Sequence, residues 1–297
     1  MSPGEDGDGV FDPGAVRDLL GWAAQDPRPI PWRGHRDAWG VLVSEVMLQQ
    51  TDVGRVVDRW PVFMERYPTP AAMAAAPVSA VIAHWQGLGY NRRAVALHRS
   101  AVRIAERHGG EVPDTVEALE QLPGVGAYTA RAVAAFAFGR DVGALDTNVG
   151  RILARRAGRP LGRVDAQALA DAAVPAGRAG EWNQAMFDLG AAVCTKRSPS
   201  CGGCPVRRGC AWHGEGGDPA VGSAAVSRPQ SRFVGSDRQG RAHLVRVLSD
   251  GGAVEEATVA AVMGWPDDAD RAARVLAGLV ADGLVDCEGG VVSLARR

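Results

Sequence analysis

The stretch Leu122-Pro123-Gly124-Val125-Gly126 lies between two segments in which apolar residues recur every three or four positions. That pattern predicts two helices joined by a tight turn. Glycines at such a turn permit positive φ and leave the backbone bare. The bare N–H groups that open the next helix can hold a phosphate without reading sequence. Taken alone, the pattern is more typical of an ordinary helix connection than of a phosphate site.

The same helical periodicity extends from Phe11 to about residue 213, where the predicted helices include 13–25, 52–66, 127–138 and 147–157. Strand-like alternation is nearly absent. We therefore expect an all-α domain. Apolar residues make up 46% of the chain, enough for a sizeable core, and no stretch approaches a membrane span. The opening residues MSPGEDGDGV lack the basic start and apolar core of a signal peptide. A monomeric, cytoplasmic protein is expected.

Composition divides the chain into four parts. Residues 1–10 are acidic and glycine-rich, and we expect them to be flexible. Residues 11–213 form the predicted helical domain. Residues 214–230 have almost no bulky apolar side chains, so a flexible linker is expected over 214–232.

The last part, residues 233–297, is expected to fold as a small compact unit. Helices are predicted at 240–249, 255–263 and 268–282, followed by two β-prone runs around Gly289–Gly290 that indicate a hairpin. Three helices and a terminal hairpin predict a winged-helix-like α+β domain.

Positive charge is clustered, although the net charge is −1. Lys196 is the only lysine, so nearly all of the positive charge is arginine, a planar phosphate binder with several donors. Clusters lie at Arg92–Arg93, at four arginines between Arg151 and Arg159, and at Lys196–Arg197 with Arg207–Arg208. Such clusters can serve phosphates, but charge alone favours a solvated arginine-rich surface.

Four of the five cysteines, Cys194, Cys201, Cys204 and Cys210, fall within one short loop. Four thiolates brought together in this way suit an iron–sulfur cluster or zinc, and a reducing cytoplasm disfavours disulfides. Structural zinc loops more often use two C-x2-C pairs, so the spacing favours iron–sulfur and leaves zinc open. Cys287 falls in the predicted wing and is expected to be an idle thiol.

Two carboxylates stand out from their surroundings. Glu45 interrupts a nearly continuous apolar helix at 38–50. Burial would favour its neutral form and make it a general acid, although an ion-paired structural glutamate fits the same pattern. Asp146 precedes a predicted helix, where an N-cap role is expected. The positive end of that helix would also favour its ionised form.

Three groups of motifs resemble known families. The cysteine spacing after Asp188-Leu189-Gly190-Ala191 resembles the cluster loop of the endonuclease III and MutY families of DNA glycosylases. The 122–126 turn, with Asp146 twenty residues after Gly126, resembles the helix-hairpin-helix glycosylase superfamily. SEVMLQQT at 44–51, with PWR at 31–33 before it and GLGY at 87–90 after it, resembles the MutY family of adenine DNA glycosylases.

The resemblance covers residues 11–213. It implies a helix-hairpin-helix DNA glycosylase fold with a structural [4Fe–4S] cluster on the four loop cysteines at 194–210. The partner it implies is double-stranded DNA carrying adenine mispaired with 8-oxoguanine or guanine. The hairpin position that bears a Schiff-base lysine in strand-cutting relatives is Tyr128 here, which predicts base release without strand cleavage.

The resemblance also assigns roles to single residues. Glu45 would protonate adenine, and Asp146 would stabilise the positively charged sugar, with Tyr128 and Asn148 beside it. The remaining DNA-contacting and base-contacting positions that it implies are Trp32 and Arg33 in the adenine pocket, Leu48, Gln50, Thr51 and Tyr90 at the point of extrusion, Leu122, Gly124, Val125 and Gly126 in the hairpin, Gln184 in the pocket helix, and Lys196 and Arg197 in the cluster loop. The core-residue alternative stays open for Leu48 and Tyr90.

Some positions depart from the family pattern. Thr147 replaces a glycine, Asn91 replaces an aromatic residue, and Gln184 replaces a pocket glutamate. Many family members also carry a Nudix-like domain that reads 8-oxoguanine, for which 233–297 is too short. Residues 233–238 are a candidate substitute, although a tether to the catalytic body is the favoured interpretation.

Two other functions remain open. Mismatch thymine glycosylases share the cluster, the hairpin tyrosine and the aspartate, whereas enzymes of the endonuclease III type need the hairpin lysine. A non-catalytic iron–sulfur protein could bind DNA or sense redox state through the winged helix. The presence of both Glu45 and Asp146 argues against it.

Overall fold

The computed structural model describes residues 10–34, 36–224, 226 and 232–296. The predicted flexible N-terminus, apart from Val10, lies outside the described residues, as do positions 225 and 227–231 of the predicted linker. The chain divides into two units: the first comprises Met1–Val41, Asp114–Val116 and Gly126–Arg228, and the second comprises Leu42–Pro113, Glu117–Val125 and Pro229–Arg297.

Helices dominate the described part of the chain. In chain order they are α1 Pro13–Gln25, α2 Ala38–Leu48, α3 Val53–Val57, α4 Arg59–Arg66, α5 Pro70–Ala74, α6 Val78–His84, α7 Arg92–Arg107, α8 Val116–Glu120, α9 Ala127–Phe138, α10 Thr147–Ala157, α11 Arg163–Ala172, α12 Ala179–Ala192, α13 Asp237–Gly251, α14 Val259–Val262 and α15 Ala269–Ala281. The three strands are β1 Ala253–Glu255, β2 Val285–Glu288 and β3 Val291–Leu294.

The first unit is built on α1, α9, α10, α11 and α12. Asp12 caps α1 by accepting from the N–H of Ala15 at 2.8 Å, and left-handed Gly158 ends α10. Fully buried Leu19, Leu153 and Leu189 bring α1, α10 and α12 into one apolar core. Burial of one such side chain stabilises the folded state by about 1.5–3 kcal/mol. This core therefore fixes the start of α10, where Asp146 lies.

The second unit contains an amphipathic helix, α7, packed on α5 and α6. Its buried positions Ala94, Leu97, Ala101 and Ile104 recur at helical spacing. The C-terminal helices α13, α14 and α15 belong to the same unit, with a three-stranded antiparallel sheet of order β1-β3-β2. The mostly helical fold with a small α+β C-terminal part is therefore confirmed.

The C-terminal sheet contains one strand that the sequence did not predict. β1 pairs with β3 in the register Ala253↔Ser293, whereas the expected helix at 255–263 is reduced to a 3-10 turn at Glu256–Thr258 followed by α14. Three residues are too few to show strand alternation, so the pairing depends on the neighbouring hairpin rather than on the local pattern.

Part of the segment predicted as a linker is held against the first unit. The N–H of Leu161 donates to Ser223 Oγ at 3.1 Å, and the N–H of Ala224 donates to the Leu161 carbonyl at 3.0 Å. Ser223 itself is buried. Among the described residues, no helix is both long and apolar enough to cross a membrane.

Candidate active site and metal centre

Asp146 is the N-cap of α10, and both of its carboxylate oxygens accept hydrogen bonds. Oδ1 accepts from the backbone N–H of Asn148 at 2.8 Å and of Val149 at 2.7 Å, and Oδ2 accepts from the Asn148 side-chain amide at 2.8 Å. Burial raises the pKa of Asp146 above its ordinary value, while these donors and the nearby charge of Arg151 oppose the rise. The capping geometry fixes the direction of the carboxylate.

A chain of hydrogen bonds connects Asp146 to the cysteine loop. The Arg151 guanidinium donates through Nη2 to Asn148 Oδ1 at 2.9 Å, and its Nε donates to the carbonyl of Cys194 at 2.8 Å. The same Nη2 donates to the Gly190 carbonyl at 2.8 Å. Arg151 thus orients the Asn148 amide, so that its nitrogen faces Asp146.

Gly190 allows this close approach of α10 and α12. A Cβ at this position would lie 2.6 Å from the Cβ of Asn148. The glycine in the predicted motif before Cys194 is therefore a packing requirement, because any side chain would displace the amide that holds Asp146.

The hairpin turn differs between its two glycines. Gly124 has φ +77°, and a Cβ there would lie 2.7 Å from the Cβ of Ala96, so glycine is required twice over. Gly126 is extended instead, at φ −100°, and is the N-cap residue of α9, where it has no side chain of its own to cap the helix. Leu122 and Val125 are buried, so this turn can offer a phosphate its backbone but not those side chains.

Tyr128 lies in the first turn of α9, where its ring packs on Phe187 of α12 with centroids 6.1 Å apart. On the same helix, Asp188 is buried and pairs with Arg33 and, at 3.8 Å, with Arg28. Gln184 lies one turn earlier on α12. The sequence did not reveal Asp188 as the partner of Arg33, because the two are 155 positions apart.

Glu45 lies in the second unit, on α2, with only 4% of its surface exposed. Its helical neighbours Ser44, Val46 and Met47 are equally buried. Glu45 is therefore a buried carboxyl group in an apolar helix. Its chemical role remains a prediction.

The residues predicted at the point of extrusion follow α2 and α6. Gln50 and Tyr90 both have positive φ, 55° and 47°. Thr51 Oγ1 donates to the Leu88 carbonyl at 3.2 Å and so connects the two loops. Leu48 is half-buried at the end of α2.

All four loop cysteines line one cavity, together with Arg155, Trp212 and His213. Burial raises the pKa of Cys204, and the charges of Cys194, Cys210 and Cys201 add to that rise. Four thiols around one cavity suit a cationic centre that all of them can bind. The donor set therefore fits a metal cofactor.

The geometry of the thiols bears on the kind of centre. A zinc ion needs its sulfurs about 2.3 Å from one point, whereas each thiolate of a [4Fe–4S] cluster binds a different iron. In the described part of the chain, no three Cys, His, Asp or Glu side chains are arranged to hold one metal ion. The preference for an iron–sulfur cluster over zinc remains a prediction from the cysteine spacing.

Three arginines that the sequence suggested as phosphate binders or surface groups are buried. Arg155 is 2% exposed, pairs with Asp218, and donates to Cys194 Sγ at 3.4 Å and to the Thr195 carbonyl at 2.8 Å. Arg156 donates to the Val206 carbonyl at 2.5 Å, and Arg151 contacts Cys194 as above. These three arginines therefore brace the cysteine loop instead of meeting solvent.

Four basic side chains of the cysteine loop are exposed. Lys196, Arg197, Arg207 and Arg208 are all exposed. The carbonyl of Lys196 accepts from Nη2 of the buried Arg155 at 3.3 Å. The buried arginine thus shapes a loop that presents other cations outward.

Comparison with known proteins adds independent findings. Residues 43–160 match the model of the HhH-GPD superfamily of base excision DNA repair proteins. Over 275 residues the chain is 43% identical to the adenine DNA glycosylase of Mycolicibacterium smegmatis, covering 91% of this chain and 92% of that protein.

Solved structures of two DNA repair proteins superpose on this chain. A thermostable thymine-DNA glycosylase superposes with a TM-score of 0.63 at 30% identity, covering 67% of this chain and 94% of that one. An endonuclease III in a non-covalent complex with DNA superposes with a TM-score of 0.57 at 26% identity, covering 67% and 94%.

Proposed function

Because the chain belongs to the adenine DNA glycosylases of the HhH-GPD superfamily, we propose that it removes adenine mispaired with 8-oxoguanine or guanine. The enzyme is an N-glycosylase of base excision repair. The observation that carries the mechanism is the fixed carboxylate of Asp146, held by three donors at the start of α10. A carboxylate fixed in this way can face a positive charge that develops on a sugar.

Two carboxylates divide the chemistry in this proposal. Glu45 protonates an imidazole nitrogen of adenine, so that the base leaves as a neutral molecule. Its burial supports that role, since a carboxyl group with so little solvent contact is costly to ionise. Asp146 stabilises the oxocarbenium-like sugar until water attacks, which parallels glycoside hydrolysis by one neutral and one charged carboxyl group.

Neighbouring side chains position the substrate. Asn148 and Arg151 hold Asp146 in place, and Tyr128 packs beside the sugar from the first turn of α9. Trp32 and Arg33 line the adenine pocket, with Arg33 held by Asp188. Gln184 in α12 reads the edge of the base.

DNA contacts are proposed at two further places. Backbone N–H groups at the start of α9, around Gly126, hold a phosphate. Lys196 and Arg197 contact the backbone from the cysteine loop. When bound, a [4Fe–4S] cluster on Cys194, Cys201, Cys204 and Cys210 supplies structural support to that loop.

The enzyme is proposed to release the base without cutting the strand. A Schiff base needs an amine at the sugar, and the hairpin position holds Tyr128 while the chain's one lysine is Lys196. Borohydride should therefore trap no substantial covalent adduct with DNA. Robust trapping would contradict this part of the proposal.

The mispair is tested by single-turnover base release from purified, cluster-loaded protein. We expect release of adenine from duplexes with A opposite 8-oxoguanine and G, and far slower release from A opposite T. The thymine opposite G duplex is included because of the likeness to a thymine-DNA glycosylase. Thymine release with no adenine release would overturn the proposed specificity.

A further inference from the structure

Strained backbone is concentrated at two loops of the second unit. The described non-glycine residues with positive φ are Gln50, Tyr90 and His213. A side chain in this conformation is disfavoured, and it persists only where the surroundings enforce it. Gln50 and Tyr90 are among the residues proposed to extrude adenine. The contacts that hold them in this conformation are therefore relevant to extrusion.

One side chain, Arg93, contacts both loops. Its Nη1 donates to the carbonyls of Val46 at 2.8 Å, Met47 at 2.8 Å and Gln49 at 2.7 Å. These carbonyls lie at the C-terminal end of α2 and just after it, where helix carbonyls lack N–H partners within the helix. Arg93 therefore caps the helix that carries Glu45.

The other arm of the same guanidinium reaches the second loop. Nη2 donates to the carbonyls of Leu88 at 3.1 Å and Gly89 at 2.9 Å, and to Thr51 Oγ1 at 2.8 Å. Nε donates to the Tyr90 carbonyl at 3.4 Å. One planar group thus holds the backbone on the N-terminal side of Gln50 and of Tyr90 at once.

Arg93 is 6% exposed, and no carboxylate among the described residues pairs with it. Its guanidinium carbon lies 5.3 Å from the Trp85 ring centroid and 5.6 Å from that of Tyr90. Burial lowers the pKa of Arg93 to about 10, so it stays charged at neutral pH. Main-chain carbonyls and two aromatic rings compensate the positive charge of Arg93. A guanidinium group suits this position, because its five N–H donors point in several directions in one plane.

We propose that Arg93 is the positioning residue of adenine extrusion, fixing the Gln50 and Tyr90 loops in the strained conformation that separates the base from its partner. The inference rests on the proposed role of these two residues. It assigns Arg93 no contact with substrate, so it acts through the loops. A lysine keeps the charge but offers one point of donation, which cannot hold both loops.

The test compares Arg93→Lys with wild type on two substrates. One is a duplex with adenine opposite 8-oxoguanine, and the other has the same adenine opposite an abasic site, where no pair has to be broken. Extrusion costs least for an unpaired base. We expect release to fall roughly 100-fold on the paired duplex, as for a misplaced reacting group, and less than about tenfold on the unpaired one.

Thr51→Val is the second variant, in case Arg93→Lys does not fold. It removes the hydroxyl that accepts from Arg93 and donates to Leu88 while keeping the side-chain shape. The same selective loss on the paired duplex is expected, of about tenfold. Thermal unfolding of each variant sets an assay temperature at which all of them are folded.

Two control variants separate positioning from general destabilisation. Ile104→Val weakens the fully buried face of α7 without touching the loops. Arg92→Lys makes the same substitution at the exposed neighbouring position. Both should release adenine at rates within a few-fold of wild type on both substrates.

Equal losses on the two substrates, or no loss on the paired duplex, would overturn the role of Arg93. A wild-type enzyme that releases no adenine from the paired duplex would overturn the proposed function instead. The wild-type rate therefore tells the two failures apart.

Discussion

At the scale of single residues, Asp146 combines a structural and a chemical task. It caps α10 with two backbone N–H donors and accepts a third hydrogen bond from Asn148. An N-cap is worth about 1 kcal/mol to a helix. Yet burial raises the pKa of Asp146, so its charge opposes folding at neutral pH while the proposed chemistry needs that charge.

This conflict predicts a pH-dependent effect of Asp146→Asn on stability. A folded pKa above the unfolded value gives stability that is present at low pH and lost as pH rises through the folded pKa. The Tm of the variant relative to wild type should therefore increase from about pH 4 to about pH 7. Thermal unfolding across that range measures the difference.

A matched control is available at another N-cap. The backbone N–H of Ala15 lowers the pKa of exposed Asp12, so its stabilising contribution appears above the unfolded pKa and is lost as pH falls. Asp12→Asn should show the opposite slope of relative Tm with pH. A relative Tm for Asp146→Asn that stays flat or falls with rising pH would contradict the assigned pKa direction.

The sequence identified some of these residues better than others. Asp146 precedes a helix and Glu45 interrupts an apolar run, so both are visible in the local pattern. Arg93, Arg151 and Arg155 are not, because an arginine looks the same whether it meets solvent or a buried carbonyl. Most of their partners lie about 40 or more positions away, and only the folded chain brings them together.

At the scale of elements, buried arginines of α10 hold the cysteine loop in place. Arg151 and Arg155 donate hydrogen bonds to its carbonyls, and Asp218 pairs with Arg155. Lys196 and Arg197 are exposed. Because the loop is already held in place, binding of a DNA backbone to its cations would cost little conformational entropy.

Lys196→Ala combined with Arg197→Ala should weaken DNA binding and make it less dependent on salt. Each lost phosphate contact reduces the slope of log affinity against log salt by about 1. Titration of a mispaired duplex at several salt concentrations gives that slope. Arg140→Ala, at an exposed arginine paired with Asp114, should leave it unchanged, and an unchanged slope in the double variant would refute the contact.

The sequence predicted the bounds of several helices correctly. Helices expected at 13–25, 127–138 and 147–157 have those bounds in the structure. The single helix expected at 52–66 is instead two, α3 and α4, interrupted at Asp58. β1 was missed because its three residues gain their structure from pairing with β3.

At the scale of the whole molecule, the C-terminal part docks within the second unit. Arg238 Nη1 donates to the Tyr90 hydroxyl at 3.2 Å, and Gln86 Nε2 donates to Ser249 Oγ at 3.1 Å. Pattern analysis could not foresee this docking, since α13 packs on α6 from a distant part of the sequence. The contact to Tyr90 supports the interpretation of 233–238 as a tether.

The ion pairs of the C-terminal part argue against a winged helix that reads DNA sequence. Arg241, Arg271 and Arg274 in α13 and α15 are paired with carboxylates of the same part. Arginines neutralised in this way are less available to phosphates. Sequence readout by the winged helix is thus less favoured than a supporting role beside the glycosylase fold.

The central claim is that Glu45 and Asp146 together break the glycosidic bond. The measurement that tests it most directly is single-turnover adenine release from a duplex with A opposite 8-oxoguanine by wild type, Glu45→Gln and Asp146→Asn. Binding of the same duplex is measured in parallel. We predict that release falls by about 10³-fold or more in each variant while binding stays within a few-fold; near-wild-type release by either variant would contradict the account.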